Sequence, residues 1–88
     1  MSNEETLLEF PCRFPIKAMG AGVSDFPAIV EEIVSRHLPK SRILDCQQRP
    51  SSGGRYLAVT ITVQAETKAE LDAIYRDLSA HPRVVVAL

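Results

Sequence analysis

Apolar residues recur along this chain with two different periods. In CRFPIKAM, residues 12–19, they alternate: Phe14, Ile16 and Ala18 fall on one side, Arg13, Pro15 and Lys17 on the other. Period two predicts a strand. Pro15 has no N–H to donate, so it is expected at a bulge or in the strand's opening part. Past the turn GAGVSD the period becomes helical, with Phe26, Ile29, Val30, Ile33, Val34 and Leu38 on one stripe. Ser24 or Asp25 can cap this helix, and Pro27 falls in the first turn, where a missing N–H is tolerated. Arg36 and His37 fall in the last turn, where positive charge meets the negative end of the helix dipole. Pro39 prevents continuation.

The second half repeats the alternation of elements. RILDCQQR, residues 42–49, predicts a strand whose polarity suits the edge of a sheet. YLAVTITVQ, residues 56–64, is the clearest strand: Leu57, Val59, Ile61 and Val63 share one face, Tyr56, Ala58, Thr60 and Thr62 the other. Thr67-Lys68-Ala69-Glu70 is a capping box, in which hydroxyl and carboxylate each accept a bond from a free backbone N–H. Leu71, Ile74, Tyr75 and Leu78 form the apolar stripe of a second helix, and RVVVAL, residues 83–88, predicts a last strand. The order β-α-β-β-α-β is the α+β, ferredoxin-like plan, with right-handed crossovers. That plan has a four-stranded antiparallel sheet in the order 4-1-3-2 and both helices on one face. Residues 1–88 are expected to form one domain, with residues 1–6 disordered.

Composition narrows the function. The 88 residues carry ten basic and eleven acidic side chains, a formal net charge of −1. A nucleic-acid surface needs a basic excess, and an electrostatic membrane anchor does too, so neither partner is expected. The N-terminal stretch has acidic residues and no apolar run, unlike a signal or transit peptide, and no window approaches transmembrane length. The expected location is the cytoplasm. There Cys12 and Cys46, far apart in sequence, are expected as free thiols.

Two loops could carry chemistry. RPSSGGRY, residues 49–56, falls between strands two and three, and Gly53-Gly54 supplies the positive φ that a tight hairpin demands. It reads first as a hairpin tip. Arg49, Ser51, Ser52, Arg55 and Tyr56 are also its candidates for contact with an anion or a partner. MGAGVSD, residues 19–25, leads from a strand into a helix N-terminus, where free N–H groups and the dipole favour an anion. A β-to-α turn with strain-relieving glycines is the plainer reading. His37 and His81 stand at element ends and lack a second ligand at metal spacing, so no metal is expected. Asp45, Glu66, Glu70 and Asp72 are scattered, with no facing carboxylates for acid–base work. No nucleophile–base pair appears, and the chain is expected to be neither an enzyme nor the holder of a cofactor.

Several stretches together resemble the YbeD family of small bacterial proteins of unknown function. They are LLEFP (Leu7 to Pro11), Lys17-x-Met19-Gly20, Arg36-His37-x-Pro39, Pro50-Ser51-Ser52-x-Gly54-x-Tyr56 and the VTIT run of strand three. The resemblance covers nearly the whole chain. It implies a ferredoxin-like fold similar to ACT regulatory domains, which bind small metabolites near the first strand-to-helix loop and at dimer interfaces. Carried over, that points to Gly20, Ala21, Gly22 and Val23 as ligand-binding residues. This sequence lacks the acidic residue and proline-glycine that usually precede the first ACT helix. The function implied is a regulatory module binding a small metabolite. The alternative is an adaptor docking a protein through the sheet edge or open face, with a link to lipoate metabolism. A homodimer, a small-molecule ligand or a protein partner all fit.

Overall fold

A computed structural model describes residues 9–21 and 25–88. The elements run β1 (Cys12–Ala21), α1 (Phe26–Ser35), a 3-10 turn (Lys40–Arg42), β2 (Ile43–Pro50), a second 3-10 turn (Ser52–Gly54), β3 (Tyr56–Ala65), α2 (Lys68–Ala80) and β4 (Val84–Ala87). The sheet order is β2-β3-β1-β4, all pairs antiparallel, which is the ferredoxin-like order expected. The ladder between β1 and β3 is ten residues long and unbroken, from Cys12 opposite Ala65 to Ala21 opposite Tyr56. Ile16, Ala18, Val59, Ile61, Val63 and Ala65 from these two strands are buried against Phe26, Val30, Ile33 and Val34 of α1 and Leu71, Ile74 and Leu78 of α2. Side chains of opposite parity stand on the face that neither helix covers.

Pro15 lies fourth in β1 and pairs with Thr62 with no register shift, so it is neither at a bulge nor in the opening part. The reason is the length of β4. Its pairing with β1 runs from Gly20 to Ala18, and reciprocal bonds join Lys17 and Leu88 at 3.1 and 2.7 Å. Lys17 directs its N–H toward β4, and the alternation of an antiparallel ladder turns the Pro15 nitrogen the same way. Among the described residues, β4 pairs with β1 only as far as Lys17, so Pro15 leaves no β4 acceptor unmet.

Helix α1 stops at Ser35, so Arg36, His37 and Leu38 form a closing turn in place of the last helical turn expected. His37 serves the packing of the helices: its Nε2 lies 2.7 Å from an Asp77 carboxylate oxygen of α2. Asp25 does not cap α1 through its side chain; Ser24 lies outside the described residues. The Asp25 carboxylate instead accepts two bonds from the Arg83 guanidinium, at 2.8 and 3.3 Å, and this pairing lowers its pKa. At α2 the Thr67 hydroxyl accepts the Glu70 N–H at 3.2 Å, as the capping box requires. Glu70 reaches one residue further back than expected, accepting the Glu66 N–H at 3.0 Å, and also receives the Arg42 guanidinium. Arg42 donates as well to the Gln64 carbonyl at 3.0 Å, tying the entry of β2 to the end of β3 and the start of α2. The bond from Arg42 is the leading reason that the Glu70 carboxyl titrates below its ordinary value.

Gly20 is a packing glycine. A Cβ built there would meet the Arg83 carbonyl oxygen at 2.4 Å and the buried Phe26 ring at 2.5 Å. Gly20→Ala should therefore destabilise the fold by about 1–3 kcal/mol through overpacking, a fall of several degrees in the thermal midpoint of so small a domain. An unchanged midpoint would refute the close packing.

The two paired carboxylates set an acid limb. Asp25 and Glu70 both titrate lower in the folded chain than in the unfolded one. Their contribution is therefore complete above the unfolded carboxylate range and is lost as pH falls through the folded values. Thermal midpoints measured from about pH 7 down to about pH 3 should fall, and Glu70→Gln should flatten that fall. A variant with the same slope as the wild type would remove Glu70 from the account.

Candidate functional site

The residues singled out in the two loops gather at one end of the sheet. Gly20 pairs with Leu57 and Ala21 with Tyr56, so the end of β1 lies beside the hairpin that joins β2 to β3. Met19 and Gly20 belong to β1 and not to a loop. Gly20 is buried under Phe26, and Ala21 is exposed. Gly22 and Val23 lie outside the described residues.

The hairpin is closed by its own backbone. The Ser51 N–H donates to the Tyr56 carbonyl at 2.8 Å, the Tyr56 N–H to the Ser51 hydroxyl at 3.0 Å, and the Gly54 N–H to the Ser51 carbonyl at 2.8 Å. Gly53 and Gly54 have φ of 87° and 72°, the left-handed region a side chain disfavours. Ser51 is thus committed to closing the turn. Ser52, Arg55 and Tyr56 stay exposed around it.

Arg49 has a different setting. Opposite Ala58 in the ladder, it stands on the open face of the sheet. There it joins Lys17, Gln47, Gln48, Ala58 and Thr60 around a hollow of about 470 Å³. Ladder pairing sets Gln47, Thr60 and Lys17 in one row and Arg49, Ala58, Met19 and Val86 in the next. A smaller hollow of about 90 Å³ continues it across Lys17, Ala58 and Thr60 to Met19, Val86 and Leu88. The floor is made of small side chains because Ala58 and Thr60 project from the central strand β3. One wall is cationic and amide-bearing, the other apolar. Among the described residues, neither Lys17 nor Arg49 forms an ion pair.

Lys17, Gln47 and Thr60 were not among the site residues expected from sequence. Their signal was present in the alternation, which turns Lys17 and Thr60 away from the apolar stripe. Only the strand register shows that Gln47 and Arg49 arrive in the same rows.

The remaining reactive groups are occupied or quiet. His81 Nδ1 accepts the Arg83 N–H at 3.1 Å and closes the turn into β4. Both cysteines are free; β3 separates Cys12 from Cys46. Burial, reinforced by the negative charges of Glu31 and Asp45, pushes the Cys46 thiol up, away from the reactive thiolate. Among the described residues, no three His, Cys, Asp or Glu side chains come together as metal ligands, and no helix is long and apolar enough to cross a membrane.

Comparison with known proteins places the chain. Residues 5–88 match the model of a family described as "Protein of unknown function (DUF493)". A "UPF0250 protein" of Leptothrix cholodnii is 47% identical over 86 residues, covering 98% of this chain and 94% of the relative. A "UPF0250 protein" of Chromobacterium violaceum is 45% identical over 89 residues, covering 100% of both chains. The solution structure of Protein HP0495 from H. pylori superposes with a TM-score of 0.75 over 100% of this chain and 94% of that one; at 13% identity the likeness shows the fold alone. With family match, relatives and fold in agreement, the chain belongs to the DUF493/UPF0250 family of small bacterial proteins of unknown function, the YbeD-like family that its sequence resembles.

Proposed function

We propose that this protein is a non-catalytic regulatory module that binds a small organic anion in the groove on the open face of its sheet. The observation behind this reading is the hollow itself, in which Lys17 and Arg49, without ion-pair partners among the described residues, flank a floor of Ala58 and Thr60. Its volume of about 470 Å³ falls within the roughly 300–1,000 Å³ of small-molecule sites. Two neighbouring cations favour a carboxylate or phosphate, and Gln47 and Thr60 add neutral donors and acceptors. The apolar continuation toward Met19 and Val86 suits an aliphatic part of the ligand.

The reading moves the ligand away from Gly20, Ala21, Gly22 and Val23, the residues that the ACT likeness suggests. The space above Gly20 is taken by the Phe26 ring and the Arg83 carbonyl. A non-catalytic role is supported by His37 and His81, each engaged in a contact that holds the fold. An adaptor role draws on the same face, because Val86 and Leu88 of the β4 side are exposed at 41% and 72%.

A thermal-shift panel of amino acids, nucleotides and short carboxylates, lipoate included, tests the groove. An anion at about 100 times its Kd should stabilise the fold by about 2.7 kcal/mol. That shift should vanish in the Lys17→Glu, Arg49→Glu double variant and survive Ala21→Asp. A panel without a hit, or a hit indifferent to Lys17 and Arg49, would overturn the open-face site.

A further inference from the structure

Strand β2 is an edge strand that stays largely exposed, although Glu31 of α1 comes near enough to Cys46 to act on its thiol. Seven of its eight residues, Leu44 to Pro50, are exposed, including those whose side chains point toward the helical side. Cys46, Gln48 and Pro50 have that parity, since they pair with Ile61, Val59 and Leu57 of the core face. The outer edge of β2 is therefore open to a neighbouring strand.

The free backbone groups of that edge follow from the hairpin. The Ser51 N–H donates to the Tyr56 carbonyl. Bonds in an antiparallel ladder alternate, so Arg49, Gln47 and Asp45 spend their N–H and C=O groups on β3. Cys46 and Gln48 turn theirs outward, and Pro50, with no N–H, falls on the outward side where none is needed by β3.

The side chains are self-complementary about Gln47. Asp45 lies two residues before it and Arg49 two residues after, both on the open face. They are separated by about 13 Å along the strand, too far to pair within one chain. Neither has an ion-pair partner among the described residues.

We propose that two copies of this chain associate antiparallel through β2, with Gln47 on the twofold axis, making one continuous eight-stranded sheet. In this register Cys46 and Gln48 of each copy exchange backbone bonds with Gln48 and Cys46 of the other. Asp45 of each copy stands opposite Arg49 of the other at a non-hydrogen-bonded position, where side chains are closest. A slip of two residues keeps the faces but breaks both ion pairs, and a slip of one turns the open face against the core face. The opposed charges thus select one register, whereas edge charges of a single sign would only deter association. The twofold symmetry closes the assembly at two copies along this edge. Arg49 has five N–H donors, so a carboxylate from the second copy leaves donors for the groove.

The interface is narrow, so association should be weak and concentration-dependent. Sedimentation of the purified chain from about 10 μM to about 1 mM should show a reversible monomer–dimer equilibrium. Asp45→Arg and Arg49→Asp each turn two attractive pairs into two repulsive ones and should weaken the dimer by at least about tenfold. The double exchange, Asp45→Arg with Arg49→Asp, should restore it, because the charges are again opposed. Gln48→Pro removes an outward N–H while leaving the ladder to β3 intact, and should also weaken the dimer. Unchanged thermal midpoints in the charge variants separate loss of association from loss of fold. A chain that stays monomeric throughout overturns the proposal and leaves the edge to a strand of another protein. So does a dimer indifferent to all these changes, or a double exchange that fails to rescue.

Discussion

The ten-residue pairing of β1 with β3 is the constraint from which the rest of this small domain follows. It aligns two alternating strands so that their apolar side chains all fall on one face. Both helices are needed to cover that face. Phe26 over Gly20 fixes the approach of α1, and the Thr67 cap with the Arg42–Glu70 pair fixes the start of α2. Among the described residues, no further element covers the opposite face. The open face and the β2 edge are therefore consequences of how the core is built.

Much of this was legible in the order of residues. The apolar stripes of both strands and both helices specify what packs together, and Gly53-Gly54 marks a turn whose left-handed geometry the structure contains. Positions that depend on a distant neighbour were not legible. Pro15 is accommodated because β4 ends before reaching it, a matter of strand length elsewhere. Asp25 looks like a helix cap in sequence but turns to Arg83, fifty-eight residues away. His37 looks like a charge for a helix end but meets Asp77, forty residues on.

The same limit applies to the site. Arg49 was visible as a cation beside a glycine-rich loop, and its anion-contact role was tied there to that loop. Register takes it out of the hairpin and sets it two strands from Lys17, across Ala58 and Thr60. The near-neutral net charge conceals this local pattern, because Glu70, Asp72 and Asp77 lie on α2 while Lys17 and Arg49 stand on the open face, where Asp45 is set apart from Arg49 along β2. Local charge, and not the total, decides what such a face can bind.

Amide hydrogen exchange, followed residue by residue in dilute solution, tests the one-sided architecture most directly. If the core ladder carries the fold and β2 is an open edge, the amides bonded between β1 and β3 should exchange only through global unfolding. Those of Cys46 and Gln48, facing outward, should exchange orders of magnitude faster. Protection of Cys46 and Gln48 equal to that of the central strands, or central amides exchanging as readily as the edge, would contradict it.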